Sequence, residues 1–432
     1  MSLVPVYPWY RIRFDDGTYF NYGGTQTQIE SEIARVSPGD VQGYRRLVAQ
    51  SRDIFDVGFV QLGDKPFSSV ASMVAVAPNM IRLKSFLSVY QMVSLYIKSE
   101  KLRQVFSFQP LLVGGNPFTT TSIYSLIQHV ERQWGVFYAM GGTGAIVSAM
   151  EKLIRELGGE ILLDTTVDEI MADGGKALGV ATADGAKHVA DLVVVNGDPP
   201  FVYSKLLKGT VRKKWTDKKI EKLQYSMGLF VLYFGTSKQY ETTAHHSILL
   251  GKRYKELLKD IFDRKVLAED FSLYLHIPSR TDPSMAPPGK DCMYVLCPVP
   301  NLQSGVDWQV EGPRLRDRIV SYLEETELPE LSKYIEADFY VTPEYFQSEL
   351  LTAYGTGFSV QPLLTQSAYF RFHNKSEELE NLFFVGAGTH PGAGMPGVLC
   401  SAKVLQNLLS PGSLERDAGG NKQYDSHAKV VN

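Results

Sequence analysis

The stretch NLFFVGAGTHPGAGMPGVLCSAK, residues 381–403, predicts a buried strand, a glycine-rich loop and a helix in direct succession. Within it, Gly392, Gly394 and Gly397 match the G-x-G-x-x-G spacing of dinucleotide-binding loops. In such loops the first glycine turns directly off a strand, the second admits the pyrophosphate, and the third lets the helix pack on the strand. The position of the glycines relative to the strand is therefore part of the motif.

The glycines fail this positional test. The predicted strand ends at Val385, and a loop in register with it would need a third glycine at residue 391, which is proline. Pro396 donates no N–H to a phosphate, and no second strand with a ribose-binding acid follows. A glycine loop at a helix N-terminus still admits a flat group and favours one that gains negative charge, such as a reduced flavin.

Composition indicates an ordinary globular enzyme, with 44% hydrophobic and 21% charged residues and a net charge of −3. This balance gives no signal for nucleic acid. Cys292, Cys297 and Cys400 are too scattered for a disulfide framework, and neither they nor the pair His245 and His246 have further ligands at metal spacing. We therefore expect no metal. No signal peptide or spanning apolar run is visible, which predicts a cytoplasmic protein.

The chain opens with an alternation of polar and bulky residues around an Asp-Gly turn, which predicts a hairpin over residues 10–22. From about residue 37 to residue 130, apolar residues recur at helical spacing, which predicts a helical cap. A helix follows over residues 141–158, with Thr143 as its cap, Gly158 as its end, and an apolar face formed by Ile146, Met150, Leu153 and Leu157.

The middle of the chain predicts strands. EILLD (160–164) is expected to be a strand, and residues 166–196 a three-stranded meander that ends at Asn196. Aromatic and β-branched runs then predict a second, largely antiparallel sheet. These runs are MGLFVLYFG (227–235), DFSLYLHIP (270–278), CMYVLCPV (292–299) and IEADFYVT (335–342). The chain is expected to finish with a strand over residues 381–385, a helix over residues 396–409 and a disordered tail over residues 410–432.

These segments resemble the bacterial and fungal type of phytoene desaturase, a branch of the flavin amine oxidase superfamily. The resemblance begins with residues 381–403 and extends in the same order through four further segments, up to about Leu409. They are LLVGGNPFTTTSIYSLIQHVERQWGVFYAMGGTGAIVSAMEKL (111–153), EDFSLYLHIP (269–278), VEGPRLRDRI (310–319) and LTQSAYFRFHN (364–374).

The resemblance implies an FAD-binding fold of the glutathione-reductase and amine-oxidase type, α/β plus α+β, with two domains and a helical cap. The expected division is a substrate-domain hairpin (1–36), a cap (37–137), a flavin-domain segment (138–200), a substrate domain (201–375), a flavin-contacting segment (376–409) and the tail. The FAD-contacting residues it implies are Val167, near the adenine, and Gly386, Ala387, Gly388, Thr389, His390, Gly394, Met395, Pro396, Gly397 and Val398.

The sequence departs from that family at its start. Members begin with a strand, a true G-x-G-x-x-G and a helix, whereas VPVYPWYRIRF (4–14) resembles a region beyond those elements. The missing unit would supply central strands and the helix N-terminus that holds the pyrophosphate. We therefore expect an N-terminally incomplete fold that binds FAD poorly and has impaired activity.

The resemblance implies FAD-dependent desaturation of phytoene, through successive double bonds, towards lycopene, with a quinone or oxygen as the electron acceptor. The segment Met80 to Lys98 is apolar with basic ends, as in an interfacial helix that would hold the enzyme peripherally on a membrane, although a buried core helix has the same pattern. His390 could be a general base or a brace that hydrogen-bonds the loop, and Arg132, Arg371 and His373 could be ion-pair residues. No catalytic acid or base can be chosen from these alternatives.

Three other functions compete with this interpretation. The polyene could be a C30 precursor or a partly desaturated carotene, because the sequence does not reveal the length of the pocket. The chain could be a non-functional fragment, if its missing unit is a real loss. A polyamine or porphyrinogen oxidase is disfavoured by the aromatic middle of the chain and by GTHPGAGMPG (388–397).

Overall fold

The computed structural model describes residues 1–409, and the predicted tail lies outside them. The strands are β1 Leu3–Pro5, β2 Tyr10–Arg13, β3 Tyr19–Tyr22, β4 Phe137–Ala139, β5 Val167–Asp173, β6 Lys176–Thr182, β7 Lys187–Val189, β8 Val193–Val195, β9 Gly228–Thr236, β10 His246–Leu249, β11 Leu273–His276, β12 Asp291–Val299, β13 Ile335–Val341 and β14 Leu382–Phe384. The helices are α1 Gln26–Val36, α2 Val41–Phe55, α3 Val70–Arg82, α4 Val89–Ser94, α5 Glu100–Val105, α6 Leu126–Trp134, α7 Thr143–Glu156, α8 Pro199–Phe201, α9 Asp217–Glu221, α10 Tyr254–Lys259, α11 Trp308–Thr326, α12 Leu331–Tyr334, α13 Pro343–Ser348 and α14 Met395–Leu409.

A seven-stranded sheet organises the middle of the chain, in the order β13-β9-β12-β11-β10-β2-β3. Its neighbours are antiparallel except for β10 and β2, which run parallel. The predicted hairpin is confirmed, with Tyr10 opposite Tyr22. The four predicted strands of the second sheet are also confirmed as β9, β11, β12 and β13, whereas β10 was not predicted.

The two faces of this sheet are buried against different helices, because alternate side chains of a strand point to opposite faces. In β9, Leu229 and Val231 belong to a core that also includes residues of α1, α2, α4 and α5. Phe230 and Leu232 belong instead to a core shared with α11 and α12, where Trp308 and Leu323 are buried. The hairpin is thus built into the first core, beneath the predicted cap.

A smaller region holds the two ends of the predicted flavin domain together. Strands β5, β6 and β7 form an antiparallel meander, and β8 pairs in parallel with β14. The meander prediction is partly wrong, because its predicted last strand forms two strands, β7 and β8. Only β7 belongs to the meander, and β8 pairs with β14. The predicted strand at residues 160–164 is also wrong: Leu162 and Leu163 are exposed, and no strand among the described residues pairs with this segment.

Helix α7 has the predicted extent but differs at its start. Gly142 occupies the N-cap position without a side-chain bond, and Thr143 is the first helical residue rather than the cap. Gly158, at φ +83°, follows the end of the helix as predicted. Much of the predicted apolar face is exposed, with Leu153 at 54% and Leu157 at 79% exposure. The described residues therefore leave this face of α7 uncovered.

Residues 80–98 do not form the single interfacial helix that the sequence suggested. Helix α3 ends at Arg82, Lys84 adopts a left-handed φ of +57°, and α4 begins at Val89. Val89 and Val93 are fully buried, so the second half of the segment belongs to the core. Among residues 1–409, no helix combines the length and the apolar character needed to span a bilayer.

Candidate functional site

The glycine loop follows β14 directly and is held by the neighbouring chain. Val385 N–H donates to Val195 O at 2.9 Å, which continues the pairing with β8. Gly386 has φ +98°, and a Cβ at this position would overlap Asn196 Oδ1. Gly386 N–H also donates to Ser401 Oγ at 2.8 Å, which ties the loop to α14. This glycine is required by the turn itself.

Close packing explains other glycines of the loop. A Cβ at Gly388 would overlap Pro199, and a Cβ at Gly397 would lie 2.6 Å from Gly392 O. Gly394 has φ +97°, a conformation that favours glycine. The sequence suggested that Gly394 and Gly397 allow contact with a flavin, and the structure adds that the loop needs glycine for its own packing.

Arg371 lies buried beneath the loop and binds its backbone. Its Nε donates to Thr389 O at 3.0 Å and its Nη2 to Ala387 O at 2.6 Å, whereas its Nη1 has no hydrogen-bond partner among the described residues. Burial lowers the pKa of Arg371. Asn374 Nδ2 adds a bond to His390 O at 2.9 Å. Because the donors come from a separate segment, they fix where the loop lies.

The other candidate ion-pair residues have different surroundings. His373 Nδ1 lies 2.8 Å from Glu377 Oε1, so this histidine does face an acidic partner. Arg132 donates from Nη1 to Gly24 O at 2.8 Å and lies over the ring of Trp9. It therefore packs against the start of the chain.

His390 is buried in the loop, and its ring packs edge-on against Phe67 at 5.0 Å. Neither ring nitrogen has a hydrogen bond of ordinary geometry among the described residues, although backbone groups of Leu62 and Lys65 approach the ring. Burial, followed by the charge of Arg371, lowers the pKa of His390 to about 3. The imidazole is thus neutral at pH 7.

A cavity of about 360 Å³ lies against the outer side of this loop. Its walls are mostly apolar side chains from α3, α6 and the segments beside them, such as Met73, Met80, Val113 and Ile127. The predicted flavin-contacting residues that line it are His390, Gly394, Pro396 and Gly397. The N-terminus of α14 therefore opens onto an apolar chamber.

The remaining candidate residues lie away from this chamber. Gly386, Ala387, Gly388 and Thr389 form the part of the loop that Arg371 and the end of β8 hold. Met395 is largely exposed, Val398 follows it in α14, and neither lines the cavity. Val167 begins β5 on the meander, opposite Thr182, and is also not a wall residue.

Glu131, at the cavity wall, was not identified from the sequence as a functional residue. Its side chain is buried, and Tyr22 Oη donates to its Oε2 at 3.0 Å. Burial raises the pKa of Glu131 from 4.5 to about 7, against the opposing effect of the tyrosine hydroxyl. The local sequence does not reveal this role, because ERQW (131–134) looks like the solvated end of a helix. Only the position of Glu131 in the fold shows that it is buried.

A second omission concerns the histidines. The conclusion that His245 and His246 lack a further ligand is wrong, because β11 brings His276 beside them, with ligand atoms within 4.8 Å of one another. The pairing of β10 with β11 creates this cluster. Nothing in the spacing of the residues along the chain reveals it.

The residues around the loop fit a flavin. The buried Arg371 Nη1, which has no hydrogen-bond partner among residues 1–409, and the buried ring of His390 lie next to the N-terminus of α14. An oxygen-rich, redox-active ring could accept such hydrogen bonds, and the helix N-terminus favours the negative charge that it gains on reduction. The apolar chamber beside the loop would then face the ring.

Comparison with known proteins gives both a family and close relatives. Flavin containing amine oxidoreductases match residues 8–403. The lycopene-forming phytoene desaturase of Pseudescherichia vulneris is 47% identical over 410 residues, which cover 95% of this chain and 83% of the relative. The neurosporene-forming phytoene desaturase of Rhodobacter capsulatus is 44% identical over 415 residues, which cover 95% of this chain and 79% of the relative.

Solved structures add agreement on the fold alone. Cyclohexylamine oxidase from Brevibacterium oxydans superposes with a TM-score of 0.55 at 13% identity, covering 94% of this chain and 83% of that one. A variant of putrescine oxidase gives a TM-score of 0.58 at 10% identity, with the same coverage of each chain. The predicted amine-oxidase-like fold is thereby confirmed.

The family match extends over nearly the whole described chain, and the relatives are far above the similarity needed to assign a family. It confirms FAD as the cofactor expected from the sequence. The chain belongs to the flavin containing amine oxidoreductases, and within them to the phytoene desaturases, as an FAD-dependent oxidoreductase that acts on CH–CH groups.

Proposed function

We propose that this chain desaturates phytoene through successive double bonds towards lycopene. The observation that carries the proposal is the apolar cavity against the glycine loop, since a hydrocarbon chain needs apolar walls along its length. Relatives whose names specify a lycopene-forming phytoene desaturase support the same substrate. A quinone or oxygen remains our proposed electron acceptor.

FAD, when bound, supplies the hydride-accepting chemistry that side chains lack. We propose that Gly386, Ala387, Gly388, Thr389, His390, Gly394, Met395, Pro396, Gly397 and Val398 hold its redox-active end and that Val167 lies towards its adenine end. The contribution of the protein is to hold the polyene beside the loop, because positioning of a bound substrate can supply a large part of a rate enhancement. The apolar wall residues also exclude water from the reacting carbons.

Glu131 is our proposed acceptor for the proton that leaves the polyene. It lines the cavity, and burial raises its pKa to about 7, which suits proton transfer near neutral pH. The hydroxyl of Tyr22 donates to one carboxyl oxygen, and the side chains of Tyr10 and Gln109 also interact with the carboxyl group. His390 is less suited to this role, since its lowered pKa makes it a weak base.

We also propose that the enzyme meets its membrane-dissolved substrate through α3. Met73, Val76 and Met80 line the cavity from one face of this helix. Val74 and Ile81, on another face, are 67% and 69% exposed. An apolar outer face beside the cavity is suited to contact with lipid. This proposal replaces the segment Met80 to Lys98, whose second half is buried.

A further proposal concerns FAD retention. The apolar face of α7 is bare, and β8 and β14 form a sheet of only two strands among the described residues. Uncovered apolar surfaces and strand edges of this kind are normally covered in a stable domain. We propose that tight FAD binding needs a segment that covers them and that the 432 residues alone are impaired in activity.

The alternatives remain a different polyene and a non-functional fragment. Among the other polyenes, a C30 substrate receives support from similar relatives. One of these is a 4,4'-diapophytoene desaturase of Methylomonas, 32% identical over 95% of this chain and 80% of the relative. An amine or porphyrinogen oxidase is less favoured, because the cavity walls are mostly apolar.

The first prediction concerns the product. Expression of this chain in a host that accumulates phytoene should yield lycopene at a reduced level, because the cavity accepts each partly desaturated intermediate again but FAD is held weakly. Carotenoids are extracted and separated by chromatography. A parallel chimera, in which this chain replaces the aligned part of the Pseudescherichia vulneris relative, separates cavity specificity from weak FAD binding. Neurosporene or a C30 product from the chimera would overturn the assignment, and no product from either form would favour the fragment.

The second prediction concerns Glu131. E131Q should lower the desaturation rate by about 10² to 10⁴ and abolish a pH dependence centred near 7, because only the ionised carboxylate accepts a proton. The rate is measured in the 432-residue chain or in the chimera, whichever is active. The assay covers about three pH units around the pKa of Glu131, from pH 5.5 to 8.5. E100Q, on a largely exposed side chain, serves as the control.

A stability measurement separates this role from a structural one. The raised folded-state pKa of Glu131 stabilises the fold below about pH 4.5, and this contribution is lost as the pH rises through about 7. E131Q should therefore raise the free energy of unfolding at pH 8 by up to about 3 kcal/mol, relative to its effect at acid pH. A gain in stability without a loss of rate would assign Glu131 to the structure alone.

The third prediction concerns membrane contact. V74D and I81D should each lower flotation with anionic liposomes by roughly tenfold, because each substitution removes an apolar contact of about 1.5 kcal/mol. The bound fraction is measured after density centrifugation. V211D, which changes a valine that is 82% exposed outside α3, is the matched control. Equal flotation of all variants would contradict a membrane-facing role for α3.

The fourth prediction concerns the flavin content. The 432-residue chain, purified with FAD present, should retain clearly less than one flavin per chain because α7 and the β8–β14 sheet are uncovered. The flavin is released by denaturation and quantified against protein, with the Pseudescherichia vulneris relative treated in parallel. A 1:1 content with a resolved protein-bound spectrum would refute the proposal.

A further inference from the structure

Three histidines converge near Tyr10, a residue that lines the cavity and whose ring lies 5.8 Å from that of His246. His246 begins β10 and lies directly opposite His276, the last residue of β11. His245 precedes β10 and contributes the third ring, and the ligand atoms of the three residues lie within 4.8 Å of one another. We propose that His245, His246 and His276 form a binding site for a divalent transition-metal ion such as Zn²⁺.

The distances suit a metal after a small adjustment. His245 Nε2 and His276 Nε2 are 2.9 Å apart. Two nitrogens bound to one tetrahedral Zn²⁺ at its usual bond length are separated by about 3.3 Å. The two rings therefore need to move apart by a few tenths of an ångström to admit the ion, which side-chain rotation can provide. Without an ion, the same nitrogens share a hydrogen bond.

Hydrogen bonds on the outer sides of two rings support ligation. His245 Nδ1 lies 2.6 Å from Thr281 Oγ1, and His246 Nδ1 lies 2.7 Å from Tyr274 Oη. Metal-binding histidines typically donate their second N–H to an oxygen, which fixes the tautomer and the ring plane. When each ring donates its Nδ1 hydrogen to the oxygen, Nε2 of both residues carries the lone pair that a metal needs.

Two buried polar atoms beside the rings have no partner among residues 1–409. They are His276 Nδ1 and the hydroxyl of Tyr138. The Tyr138 ring packs edge-on against His245, at 4.9 Å. Three histidines leave one position of a tetrahedral ion open. A water molecule could fill it.

The chemistry of the cluster selects the class of metal. Burial lowers the pKa of His245 to about 4 and that of His276 to about 3, so both are neutral, as a ligand must be. The group contains imidazoles only. Imidazoles favour Zn²⁺, Cu²⁺ or Ni²⁺ over Mg²⁺ and Ca²⁺, which prefer oxygen ligands.

The position of the cluster implies a structural link. It joins β10 to β11 in the seven-stranded sheet and touches β4 through Tyr138. None of the three histidines lines the catalytic cavity. A bound ion would therefore cross-link β10 to β11, without contact with the polyene.

The test uses the full untagged chain after treatment with a chelator. Titration with Co²⁺ should give visible absorption bands that saturate at one ion per chain, because tetrahedral nitrogen ligation makes these bands intense. Zn²⁺ should then displace the Co²⁺ and bleach the bands. H276N should weaken binding by more than about 100-fold, since it removes a direct ligand.

Two further variants control for folding. H188N changes an exposed histidine on β7 and should bind like the parent chain. T281V removes only the hydroxyl that holds His245 and should weaken binding by about 10- to 100-fold. Circular dichroism checks that each variant is folded. If H276N is unfolded, the comparison of T281V with the parent chain decides the test. Absence of saturable binding by the parent chain, or equal affinity in T281V and H188N, would overturn the site.

Discussion

The buried guanidinium of Arg371 is the contact on which the candidate active site depends. It donates to two carbonyls of the glycine loop, which has too few side chains to hold itself in place. A buried cation is costly unless its donors are satisfied, and the loop carbonyls satisfy two of them. Its Nη1 has no hydrogen-bond partner within residues 1–409 and is available to a bound group. Arg371 thus sets the position of the loop.

The glycine loop also shows how one residue type can meet two demands. Gly386 and Gly388 are fixed by Asn196 and Pro199 at the end of β8, whereas Gly394 and Gly397 border the cavity. The first pair makes the crossing from β14 to α14 possible. The second pair leaves the helix N-terminus accessible. A spacing that matches a phosphate fingerprint therefore arises from packing between two strands and a helix.

Local sequence patterns predicted those elements whose stability depends on neighbours along the chain. The hairpin over residues 10–22 carries its own turn, and β9 and β12 carry long runs of aromatic and β-branched residues. The predictions were wrong where contacts between residues far apart in the sequence determine the structure. Residues 160–164 have strand-like composition but no partner strand within residues 1–409, and residues 80–98 break at the left-handed Lys84. Composition does not encode a missing neighbour or a reversal of the backbone.

The residues of the candidate site also fall into those that local sequence predicted and those that it did not. The loop and α14 were found because their glycines are contiguous, whereas Glu131 and His276 acquire their properties only from burial and strand register. Helix α3 has two apolar faces with different surroundings. Met73 and Met80 limit the chamber, while Val74 and Ile81 meet the exterior. Under the proposed membrane contact of α3, the residues that limit the chamber could vary independently of those that face the lipid, so selection could change the product without changing how the substrate is captured.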